Sequence, residues 1–131
     1  MKVIVDDKIP YIRESLEKAV SDVLYLPGKD ITHERVKDAD ALIIRTRTHC
    51  DEKLLKDSSV KFIATATIGY DHIDTKYCDE NGIIWKNAPG SNSSSVAPYI
   101  RSSLLPRPKL KDFRLTGKTI GIVGVGNVGC N

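Results

Sequence analysis

No stretch of this sequence holds the ~20 consecutive apolar residues that a membrane-spanning helix needs. The opening residues turn acidic at Asp6 and Asp7 after one short apolar run, which is unlike a secretion signal. Cysteine is scarce: Cys50, Cys78 and Cys130 form no CxxC pair and are odd in number. That argues against a disulfide framework or a zinc site and suits reduced thiols in a cytoplasm. His33, His49 and His72 likewise show no metal-ligand spacing. Charge of one sign is also lacking, with 20 basic against 17 acidic residues and a net +3. This excess is too small and too scattered for a nucleic-acid binder. The densest basic run (Arg107, Lys109, Lys111, Arg114, Lys118) is broken by prolines and Asp112 and reads as a solvated linker.

What is present suits one globular domain and little more, since 131 residues bury a single core. Short apolar, β-branched runs alternate with helical patterns. Strands are expected over 3–5, 23–26, 41–44, 61–65 and 83–86. A helix is expected from about Pro10, with Ile12, Leu16, Ala19 and Val20 on its apolar face. A short helix opens at Asp51, and another runs from near Asp74 to the stop signal Asn81-Gly82. Apolar strands separated by helices imply a parallel sheet buried on both faces, so the fold class is α/β: a flavodoxin-like, doubly wound domain over 1–95.

Beyond it, the polar stretch at 87–95 leads into a helix over 96–105. Pro98 is tolerable in its first turn, whereas Pro106 and Pro108 must stop or kink it. The segment 96–118 is thus an interdomain linker helix broken by prolines. A further strand at 119–123 runs into Gly124-Val125-Gly126-Asn127-Val128-Gly129, the G-x-G-x-x-G pattern of a dinucleotide loop. There Gly124 makes the tight turn, Gly126 lets backbone approach a pyrophosphate, and Gly129 permits close packing. Residues 119–131 read as the start of a truncated Rossmann domain, because the helix and ribose-binding carboxylate that complete such a site would lie past Asn131.

Ligands of open α/β sheets sit beyond the carboxyl ends of strands. Two segments qualify: Arg45-Thr46-Arg47-Thr48 after the third strand, and Thr65 to Tyr70 after the fourth. Arg45, Thr46, Thr67 and the Gly69 backbone offer guanidinium, hydroxyl and N–H donors to an anion, and the two loops are expected to share one crevice. The bland alternative is that the threonines cap turns and one arginine faces water. A phosphoacceptor signalling domain of the same fold would use Asp6 and Asp7 with an aspartate ending strand three, but Arg45 and Thr46 occupy that place. His72, between Asp71 and Asp74, reads as a structural hydrogen-bonding residue, and Trp85 as a core or sheet-face aromatic.

The segments VDDKIPY at 5–11, DADALIIRTRT at 38–48, KFIATATIGYDHID at 61–74, NAPGSNSSSVAPYI at 87–100 and TGKTIGIVGVGNVG at 116–129 together resemble the D-isomer-specific 2-hydroxyacid dehydrogenases. Within them the resemblance is to the branch that oxidises 4-phospho-D-erythronate at its 2-hydroxyl with NAD, a step in pyridoxal 5′-phosphate synthesis. It implies a two-domain enzyme in which Thr46 and Thr67 contact a small phosphorylated acid. The family's catalytic arginine, glutamate and histidine follow the glycine loop, so none is assigned here, and this chain alone is expected neither to bind NAD with family strength nor to turn over. The other reading is a non-catalytic binding module that keeps the substrate-domain surface. The apolar segment at 119–125 lacks a sheet of its own and is expected to pair with a second copy, giving a homodimer by exchange of residues near 110–129.

Overall fold

The computed structural model describes residues 1–104 and 117–129. Five parallel strands form one sheet in the order β2-β1-β3-β4-β5, the flavodoxin-like arrangement that the alternating pattern implied. The strands are β1 (Lys2–Asp6), β2 (Asp22–Leu26), β3 (Ala41–Ile44), β4 (Phe62–Thr65) and β5 (Ile84–Lys86). Register is set by β1, where Val3 lies opposite Val23 on one side and Ala41 on the other.

Side chains alternate across these strands and divide the apolar residues between two faces. Ile4, Leu42, Ile44 and Ile63 are fully buried on one face, with Val36, Leu54, Leu55, Ile73, Cys50 and Cys78 packed among them. Those partners come from α2 (His33–Val36), α3 (Glu52–Leu55), α4 (Thr75–Glu80) and their flanking loops. Asp51 accepts a hydrogen bond from Leu54 N and Asp74 one from Tyr77 N, so both helices open on the aspartates expected to cap them. Gly82 takes the left-handed φ of +67° that ends α4. The short α2 lacked a periodic signal, and its Thr32 N-cap makes no side-chain cap bond.

The opposite face is thinner. Val3, Val5 and Ala41 are covered by Ile9, Ile12, Leu16 and Val20, around α1 (Ile12–Leu16). Arg13 reaches from α1 over the Tyr25 ring, 4.0 Å from its centroid. The helix begins two residues after Pro10, because Tyr11 adopts a left-handed φ of 61° that no helix interior accepts. It is also shorter than expected. Ala19 N donates to Leu16 O three residues back, a tight closing turn, and Ala19 faces solvent rather than the core. Burial on both faces holds for β1 and β3 but not at the sheet's far side, where Phe62 and Ile84 are exposed on β4 and β5.

The first compact unit spans Met1–Ala88, and a second begins at Pro89. In the second, α5 (Ser93–Leu104) starts three residues before the expected 96. Ser93 N and its Oγ both bond to Gly90 O, which anchors the earlier start. Pro98 is therefore interior rather than in the first turn, and the carbonyl of Ser94 loses its usual i+4 donor. Pro106, Pro108 and most of the basic run lie outside the described residues. Residues 119–123, expected as a strand, form no regular element: a strand is held by its neighbours, and among the described residues none pairs with this segment.

Candidate functional site

The strand order reverses between β1 and β3, and the loops leaving their carboxyl ends open a cleft of about 430 Å³. Asp6 closes β1. Its side chain is buried, and Oδ1 accepts from Lys8 N at 2.9 Å, folding the chain tightly away from the strand. The loop after β2 turns at Pro27 and presses Gly28 into this corner, where Thr48 Oγ1 donates to the Gly28 carbonyl at 3.0 Å. A side chain at 28 would meet Asp6, Arg47 and Thr48 together. Arg45, Thr46 and Arg47 follow β3 directly and line the cleft together with Lys8 and Lys29. Arg45 Nη1 makes one long bond, 3.4 Å, to Lys8 O. Four cationic residues thus line a cleft floored by one buried carboxylate, with Lys8 Nζ 3.7 Å from Asp7 Oδ2 at its edge, and the net positive charge suits an anionic ligand.

The loop after β4 is built on hydroxyls. Thr65 Oγ1 lies 2.7 Å from Thr67 Oγ1 and 2.9 Å from His72 Nε2, and Thr67 Oγ1 donates to Gly69 O at 2.9 Å. Ala88 N donates to Thr67 O and Asn87 Nδ2 to Ile68 O, bracing the loop from the chain beyond β5. Tyr70 packs on Trp85, with ring centroids 4.9 Å apart. Burial, then the charge of His49, holds the His72 imidazole below its ordinary range against an opposing pull from Asp71.

Ala66 N donates to Ile44 O, so the two loops do leave neighbouring strands side by side. The cleft described above is lined by the first of them. Arg45 and Thr46 stand in the cleft at the β1, β2 and β3 ends, whereas Thr67 and Gly69 belong to the adjacent hydroxyl cluster and are absent from its walls. Lys8 and Lys29 were missed. Their signal was present, as each follows a strand end by two or three residues, but a single lysine beside a turn says nothing until the topology brings two together.

In the second unit, Gly124 has φ +97°, a conformation that L side chains rarely adopt. The space around Gly126 is open, and a Cβ on Gly129 would strike the Gly124 carbonyl. Asn127 and Val128 form the turn between the last two glycines. These three glycines fit the needs of a dinucleotide loop: a tight turn, room for a pyrophosphate against bare backbone, and close packing behind it.

Residues 2–103 match the family model for the D-isomer specific 2-hydroxyacid dehydrogenase catalytic domain. The erythronate-4-phosphate dehydrogenase of Bacteroides fragilis is 66% identical over 98% of this chain, which spans 37% of that protein. That of Chromohalobacter salexigens is 47% identical over 98% of the chain and 33% of its own length. The chain thus spans about a third of the length of the curated relatives it matches. Among solved structures, NAD+-bound 3-phosphoglycerate dehydrogenase of Entamoeba histolytica is 36% identical, with a TM-score of 0.75 over 99% of this chain and 48% of its own.

Proposed function

The chain belongs to the D-isomer-specific 2-hydroxyacid dehydrogenase family, and from that premise we propose that its first unit is the substrate-holding part of an NAD-dependent oxidoreductase that oxidises 4-phospho-D-erythronate at the 2-hydroxyl. The observation that carries this reading is the cleft at the carboxyl ends of β1, β2 and β3, which Lys8, Lys29, Arg45, Thr46 and Arg47 line together. A phosphorylated acid carries two anionic groups, and guanidinium groups bind phosphate with short, charge-assisted hydrogen bonds. Thr46 and Thr67, on neighbouring loops, are the hydroxyls offered to the substrate. The Gly124, Gly126 and Gly129 backbone, with the Asn127–Val128 turn, is the part suited to the NAD pyrophosphate. NAD supplies the hydride acceptor when bound.

Calorimetric titration tests the assignment. The cleft walls are loops at one end of a single sheet, so 4-phosphoerythronate is expected to bind at about millimolar strength, about 4 kcal/mol. Erythronate without its phosphate should bind more weakly, and Arg45→Gln should reduce the difference between the two. Equal affinity for the phosphorylated and unphosphorylated acids would refute the reading.

A further inference from the structure

The hydroxyl cluster behind the β4 loop has a polarity that follows from counting protons. A carbonyl oxygen only accepts, so the single hydroxyl proton of Thr67 is committed to Gly69 O, 2.9 Å away. The 2.7 Å contact between Thr65 and Thr67 must then use the Thr65 proton. Thr65 has no second proton, so in its 2.9 Å contact with His72 the imidazole Nε2 is the donor. The chain runs one way, from His72 Nε2–H to Thr65, Thr67 and the Gly69 carbonyl. Thr65 and His72 are 3% and 6% exposed, so water does not compete readily for these bonds. One Thr67 lone pair is taken by Thr65, and what remains for a ligand is the other lone pair.

We propose that His72 is a positioning residue that, through Thr65, fixes the Thr67 hydroxyl as an acceptor toward the ligand, so that this side chain selects a hydroxyl donor of the substrate. The inference deepens the reading that Thr67 faces substrate and rests on it. An anionic oxygen placed against Thr67 would meet a lone pair. To offer it a proton, Thr67 would have to abandon Gly69 O. Anionic ends are left to the cationic cleft and to backbone N–H groups such as that of Gly69, and a polyhydroxy acid with a free hydroxyl donor is the class of ligand that suits both loops. Protonation of the imidazole adds a proton at Nδ1 and leaves Nε2–H in place, so the direction of the chain is independent of the charge on His72.

Two measurements on the full chain test this. Long-range 1H–15N correlation of the His72 ring should find the proton on Nε2 and a bare Nδ1, and a neutral ring protonated at Nδ1 would overturn the proposal without reference to any ligand. NMR titration should then compare 4-phosphoerythronate with 4-phosphobutanoate, which keeps both anionic ends and has neither hydroxyl. A preference of about tenfold for the hydroxylated compound is expected, the worth of one good hydrogen bond. His72→Leu should lose that preference, and His72→Gln, whose amide still donates, should restore it. Equal binding of the two compounds to the unaltered chain overturns this inference alone. No binding of either overturns the functional reading as well.

Discussion

Gly28 lies hard against Asp6: a Cβ built on Gly28 would sit 2.7 Å from Asp6 Oδ2. The carboxylate cannot easily withdraw, because its other oxygen accepts from Lys8 N at 2.9 Å. Gly28→Ala is therefore expected to destabilise the first unit by about 1–3 kcal/mol, the usual cost of overpacking. It should also widen the cleft that Asp6, Gly28 and Arg47 share. Chemical denaturation measures the first effect. An alanine variant as stable as the original would mean that the corner is looser than described.

The two buried thiols should be chemically silent. Burial pushes the Cys50 thiol up to about 12 and the Cys78 thiol up to about 11, so almost no thiolate exists at neutral pH. Alkylation followed by mass spectrometry should leave both unlabelled in the native chain and label both after denaturation. Rapid native labelling at Cys50 would contradict its burial.

His72 should make the fold acid-sensitive. Its folded pKa is lowered by burial, so on acidification the unfolded chain takes up the proton first. In that interval the unfolded state holds more protons, and stability rises with pH. The His72 contribution is thus intact above the ordinary imidazole value of about 6.5 and is lost as pH falls from there through the lowered folded value. Thermal melts at stepped pH should show that loss, and it should shrink in His72→Gln. An identical pH dependence in both proteins would remove His72 as its cause.

Self-association is proposed for the segment around 119–125. Ile120, Ile122, Val123 and Val125 are all exposed, and no described segment pairs with their backbone. A second copy could supply the missing ladder. Sedimentation should find a dimer or larger assembly that Ile122→Lys with Val123→Lys returns to monomer. A chain that stays monomeric at high concentration would end the proposal.

Most of the sheet was legible because β-branched runs such as Val3 to Val5 and Ala41 to Ile44 have one strand period and clear turn signals at their ends. The capping aspartates Asp51 and Asp74 were legible for the same local reason. What escaped depends on partners distant in sequence. The length of α1 is decided by the strained Tyr11 and the tight turn at Ala19, neither of which alters the apolar pattern. The segment 119–123 has the composition of a strand, but composition does not provide a neighbour. Arg45 and Thr46 could be read at a strand end, whereas their meeting with Lys8 and Lys29 required the β2-β1-β3 order. The hydroxyl chain needed the loop to bring His72 back onto Thr65, seven residues earlier.

A phosphorylated hydroxy acid is proposed to lie across the ends of β1, β3 and β4, and backbone amide mapping during titration with 4-phosphoerythronate tests this most directly. The account predicts saturable shifts at residues 45–48 and 65–70, together with Lys8 and Lys29 beside the cleft. Saturable shifts confined to other parts of the chain, with those amides unmoved, would contradict it.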